Sequence, residues 1–190
     1  MGVAFVGVIA LAIGLLVVVA ILMVAGIYNG LVRARNEAKN SWAQIDVQLK
    51  RRHDLVPNLV ETVKGYASHE SKTLESVIAA RSQAVAAPTV DAKIAAEGQL
   101  SQALGRLMVV TEQYPDLKAN TNFLALQEEL TSTENKISFA RQAYNDAVTG
   151  YNNRIETFPS NLIAGNFGFK PEPLFQVQDE KERQAPQVKF

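Results

Sequence analysis

Apolar positions recur along this chain at two scales. From Val3 to Ile27 they are nearly continuous, and from Leu31 onward they return in alternating steps of three and four, the spacing that sets one helix face against a neighbour. The first stripe is Leu31, Arg35, Ala38, Trp42, Ile45 and Leu49, and it predicts a helix that leaves the apolar run without a break and ends near Arg52. Asp54 as a cap and Pro57 in a first turn begin a second helix, with Leu59, Val63, Ala67, Leu74 and Val77 inside and Pro88 as its stop. A third, over Val90 to Gln113, carries Ile94, Leu100, Leu104, Leu107 and Val110. The fourth has the cleanest periodicity, from Phe123 through Ile137, Tyr144 and Tyr151 to Ile155, and stops before Pro159.

Nowhere do β-branched residues alternate between turn dipeptides, so a sheet has no support. The expected fold is all-α. A transmembrane anchor (1–27) runs into an antiparallel up-down four-helix bundle (28–157, with helices at 28–52, 54–86, 90–113 and 118–157), and an irregular Phe- and Pro-rich extension (158–190) follows. A helical rod whose partners lie in other chains is the alternative reading of the same pattern.

Charge sharpens the division between anchor and bundle. The chain has 190 residues with 19 basic and 19 acidic side chains, and all of them lie beyond Val32. As a helix, Val3 to Ile27 reaches about 38 Å, enough for a bilayer core of about 30 Å. A cleaved signal peptide has a basic start and a shorter apolar run, and neither is present here. Arg33, Arg35 and Lys39 follow the run, so the domain belongs in the cytoplasm, with the N-terminus outside.

If the chain turns near His53, helix counting brings Glu70 level with Arg35, which predicts an interhelical ion pair between them. The same counting returns the second helix to the bilayer, with Arg81 and Val85 near the headgroups. It also delivers the uncharged stretch Phe158 to Phe169 to the membrane side. The candidate membrane-interface or oligomer contacts are therefore Arg81, Val85, Phe158, Leu162, Ile163, Phe167, Phe169 and Phe175. Three fates are open to the C-terminal stretch: a groove of its own bundle, the membrane interface, or a neighbouring protomer. Leu174, Phe175 and Val177 extend it before the charged run from Asp179 to Arg183.

Candidate chemistry adds little. With no cysteine there is no thiol nucleophile or thiolate metal site. His53 and His69 stand 16 residues apart, and neither has a glutamate three positions before it, as a di-iron helix requires. Phosphate loops, nucleophile elbows and zinc helices are absent from the sequence. Zero net charge leaves no field for nucleic acid, and no cofactor is expected. Lys50, Arg51 and Arg52 form the one dense basic cluster. It reads as charge at a helix C-terminus or as a patch for an acidic cytosolic partner.

Several blocks together resemble the LemA family of bacterial membrane proteins: Tyr28-Asn29-Gly30-Leu31-Val32, Ala43 through Arg52, Asp54 through Val60, Thr62 through Tyr66, Tyr114 through Ala119, and Phe158-Pro159-Ser160-Asn161. The resemblance implies one N-terminal anchor in the bacterial inner membrane and a cytoplasmic helical bundle, without catalytic residues to carry over. It also suggests a setting in membrane stress or membrane-protein quality control, with membrane protease or stress components as partners. The functional expectation is a non-enzymatic, self-associating scaffold or adaptor. The alternative is a membrane-shaping or lipid-sensing protein that inserts its C-terminal segment into the interface.

Overall fold

The computed structural model describes residues 2–175; Val177, the charged run after it and the last residues lie outside that range. No strand occurs among the described residues. The first helix, α1 (Gly2–Lys64), is 63 residues long. By length and composition it is apolar enough at its N-terminal end to cross a membrane. All side chains from Ile9 to Gly26 are exposed, while Leu31, Ala34, Ala38, Ile45 and Leu49 are buried. The exposed apolar segment and part of the core thus belong to one helix.

The expected stop near Arg52 does not occur, because α1 continues through Asp54 and Pro57. Proline inside a helix removes the N–H that the carbonyl four residues earlier needs. Here that carbonyl belongs to His53, and the Arg81 Nε–H donates to it at 2.7 Å. A side chain from another helix repairs the defect, and Val56, Leu59, Val60 and Val63 continue into the core. The predicted helix over 54–86 is therefore two elements, the last turns of α1 and a separate α2 (Ser71–Ala86). Ala67, in the turn between them, is still buried. That is why its stripe read as uninterrupted.

Three residues separate Ala86 from α3 (Val90–Thr111), where the Thr89 hydroxyl accepts from the Ala92 N–H at 3.2 Å. A single turn, α4 (Pro115–Lys118), leads to α5 (Thr121–Glu156), whose first turn is capped by Asn120 through the Phe123 N–H at 3.0 Å. The short α6 (Ser160–Asn166) and an extended strap, 169–175, complete the described chain.

Side-chain pairs give the register of the long helices. Arg51 meets Glu129, Trp42 meets Tyr144, and Arg154 reaches Gly30, so numbers on α5 rise as those on α1 fall. Lys93 meets Asp46 at 2.5 Å, which puts the start of α3 about 27 Å farther along α1 than Tyr28. The α2–α3 hairpin therefore covers only the far part of α1. Its core gathers Leu59, Val77, Leu100, Leu107, Leu117 and Phe123. Nearer the anchor, α1 and α5 are closed instead by the strap and α6, in two smaller clusters around Phe175 and Phe169.

Candidate functional site

Ionisable side chains are buried together where α1, α3 and α5 converge. Arg52, His53 and Glu97 are all under one-tenth exposed. Arg52 donates to the Glu97 carboxylate, to Ser101 Oγ at 3.1 Å and to Glu134 Oε2 at 2.5 Å, and His53 Nε2 lies 2.6 Å from Glu97 Oε1. Burial by itself raises the Glu97 pKa, but the His53 hydrogen bond and the Arg52 charge outweigh it and hold the carboxyl below its ordinary value of 4.5. Glu97 is thus a carboxylate, and the His53 Nε2–H is the donor to it. The Arg52 terminal nitrogens, the Glu97 carboxylate and His53 Nε2 all meet partners across helices, while Arg52 Nε is buried without one. Glu134 also lines an open cavity on α5 with Ser138 and Asn145, while Arg52, His53 and Glu97 do not line it. The arrangement clamps three helices. No three His, Asp or Glu side chains among the described residues gather as metal ligands.

The base of the molecule is built differently. On α5 the pair Tyr-Asn occurs twice, at Tyr144-Asn145 and Tyr151-Asn152. The Asn145 amide exchanges hydrogen bonds with both the N–H and the C=O of Phe175 (2.8 and 3.1 Å), and Asn152 does the same with Glu172 (3.0 and 2.9 Å). Tyr144 and Tyr151 donate to the carbonyls of Pro173 and Lys170. Two helical turns cover about 10 Å, and so do three residues of extended chain, so the two ladders stay in step. Burial and the nearby Glu172 and Asp91 charges push the Tyr144 hydroxyl up to about 12, which keeps it a donor. Arg35 lies over the Phe169 ring at 4.9 Å and Arg141 over Phe175 at 4.5 Å.

At the level where α1 leaves its uncharged segment, Tyr28 packs on Phe167 and Phe169, with ring centroids 5.0 and 5.7 Å apart. The two charge-free stretches of the sequence meet here. Ala164 is buried and Ile163 half-buried against α1 and α5. Phe158, Leu162 and Phe167 point outward.

Several expected contacts are therefore corrected. Arg35 and Glu70 do not pair: Arg35 faces Phe169, while Glu70 accepts from the Tyr114 hydroxyl at 3.3 Å. The prediction assumed a turn at His53, and α1 instead carries the chain on to Lys64. For the same reason Arg81 and Val85 lie far from the anchor, Arg81 on the His53 carbonyl and Val85 exposed near the α2–α3 turn. The basic cluster divides, with Arg52 buried, Arg51 on Glu129 at 2.5 Å and Lys50 exposed. Of the C-terminal aromatics, Phe169 and Phe175 belong to the core. The Tyr-Asn ladder went unread in the sequence, although its repeat at a spacing of seven, on the buried stripe, was visible there.

These features define a class: an all-α protein in which one long helix supplies both a candidate membrane span and the core of a helical domain. The sequence profile of the LemA family matches residues 41–190, and the chain belongs to that family. It is similar to protein LemA of Metamycoplasma hominis, at 29% identity over 80% of this chain and 69% of that one. It is also similar to magnetosome protein MamQ 2 of Paramagnetospirillum magneticum (29% identity, 78% of this chain) and to magnetosome protein MamQ of Magnetospirillum gryphiswaldense (28%, 78%). The chain spans 64% of the length of those two magnetosome proteins.

Proposed function

We propose that this protein is a non-enzymatic scaffold of the bacterial cytoplasmic membrane. In this reading it crosses once with its N-terminus outside, holds an antiparallel four-helix bundle (α1, α2, α3 and α5) in the cytoplasm, and offers that surface to membrane or cytosolic proteins and to further copies of itself. The observation that carries the reading is the continuity of α1, whose residues run from the exposed apolar segment into the core without a hinge. A helix shared in this way fixes the domain's height and tilt, which matters for organising neighbours and little for a tethered enzyme. The buried ionisable groups pair with one another across helices, as expected of groups that specify alignment. Arg33, Arg35 and Lys39 after the apolar segment support the orientation. The magnetosome names of two relatives agree with a role in organising a membrane, and the family resemblance suggests membrane protease or stress components as the partner class.

The test is to uncouple the two parts. A flexible Gly-Ser linker of about eight residues between Ile27 and Tyr28 leaves span and bundle intact but frees their relative orientation. Cross-linking in native membranes followed by mass spectrometry is expected to capture defined neighbours with the natural chain and to lose or scramble them with the linker. An unchanged set of neighbours, or monomer alone from both proteins, overturns the scaffold.

A further inference from the structure

The apolar foot of the molecule has a definite height, and its height identifies what covers it. Residues 3–27 are long enough as a helix, about 38 Å, to cross a hydrocarbon core of about 30 Å, so Ile27 and Tyr28 emerge at the boundary between acyl chains and headgroups. Tyrosine is favoured at that depth. Phe167 is held against Tyr28 with ring centroids 5.0 Å apart, and α6 is fastened at the same level by buried Ala164 and by Phe169. Yet Phe158, Leu162 and Phe167 are 79%, 58% and 59% exposed. Between Phe158 and Phe169 there is no charged residue, and Arg33 and Lys170, both exposed, stand just beyond this level.

We propose that α6 and its flanking turns form a foot embedded in the phospholipid interface, with Phe158, Leu162 and Phe167 among the upper acyl chains and Arg33 and Lys170 at the phosphates. The occupant follows from continuity, since the exposed surface of the span passes through Ile27 and Tyr28 directly onto α6. Amphipathic elements bind an interface through apolar area together with attraction to anionic headgroups, and the foot offers both. It gives the membrane a second hold on the bundle, beside α1, and so fixes its rotation about the helix axis as well as its height. This inference rests on the reading of α1 as a membrane span.

Depth-resolved quenching tests the two separately, with the full chain reconstituted into phosphatidylcholine–phosphatidylglycerol vesicles that carry brominated acyl chains. The chain has one tryptophan, Trp42, about 21 Å beyond Tyr28 along α1, and the natural protein reports that level. In a Trp42→Phe background, Leu16→Trp reports the span and Leu162→Trp the foot; both positions are exposed, so neither substitution disturbs the core. Leu16→Trp is expected to lose most of its emission to bromines deep in the chain, Leu162→Trp most of its emission to bromines near the headgroup, and Trp42 almost none. If Leu16→Trp is quenched and Leu162→Trp is not, the foot is wrong and the span stands. If neither is quenched, both fail. A blue-shifted but unquenched Leu162→Trp means that protein, such as a second copy, covers the face, and this too overturns the proposal. Phe158→Trp repeats the measurement at an independent position.

Discussion

The far and near halves of this molecule share the same two long helices and close them in opposite ways. At the far end, α1 and α5 are completed by a helical hairpin, and the interior includes an arginine and a histidine that both pair with one glutamate. Near the anchor, the same two helices are completed by seven residues of extended chain, held by side-chain amides and hydroxyls that bond its backbone. The first solution depends on charge and on the second element of a hairpin arriving in register. The second depends on backbone groups that any sequence possesses and on a matched spacing along α5. The far half should therefore be sensitive to pH and to single charge deletions, and the near half to the loss of neutral hydrogen bonds.

The strongest way to break this contrast is Glu97→Ala. It leaves Arg52 buried with only the half-exposed Glu134 opposite it, and removing one partner of a buried pair costs about 3–5 kcal/mol. Urea unfolding of the full chain in detergent should show that loss, and a double replacement, Arg52→Met with Glu97→Leu, should recover part of it. Acid has the same target. Because the folded Glu97 pKa lies below the ordinary 4.5, its contribution is fully present above that value and is lost as pH falls through the folded one. Hydrogen exchange should then report opening of α3 before release of the strap. The reverse order would contradict the division drawn here.

Next in size is the Arg81 repair of the proline defect. Arg81→Met strands the His53 carbonyl and should cost about 1–3 kcal/mol, whereas in a Pro57→Ala background the new N–H takes over that carbonyl and the cost should shrink. Additive effects of the two substitutions in a thermodynamic cycle would remove the explanation of the unbroken helix. In the near half, Asn152→Ala takes away both bonds to Glu172 and should cost about 1–2 kcal/mol. Its signature is local, with faster exchange of amides in 170–175 and little change in α2 and α3. The smallest effect belongs to the surface, where the Arg51–Glu129 pair is nearly half-exposed on both sides. Glu129→Ala should shift stability by less than about 1 kcal/mol, and less still at high salt.

Several of these elements were legible along the chain. The heptad-like stripe from Phe123 to Ile155 became α5 with a cap one residue from its start, because a long amphipathic helix states its buried face wherever it is placed. Pro88, Pro115 and Pro159 all stand in or beside breaks between helices. Arg81 and Glu97 are charges on otherwise apolar stripes, but the sequence does not name their partners, since a contact between helices has no spacing in sequence to betray it. The Arg35–Glu70 pairing failed for that reason too, its register having been inherited from a turn set one helix end too early.

What local chemistry decides in this protein is thus the helical class, the uncharged apolar segment and the approximate limits of α3 and α5. These follow from hydropathy, helical period and proline, each of which acts within a few residues. Where α1 ends was decided elsewhere. Asp54 and Pro57 form a convincing helix start, but a guanidinium brought in by α2 takes the carbonyl the proline leaves free, and Val56, Leu59, Val60 and Val63 gain burial as the helix continues. The fate of the last apolar stretch was likewise a tertiary matter. Phe169 and Phe175 are core and Phe167 is surface because the hairpin stops short of the anchor, leaving a groove on α1 and α5 whose length no local pattern records.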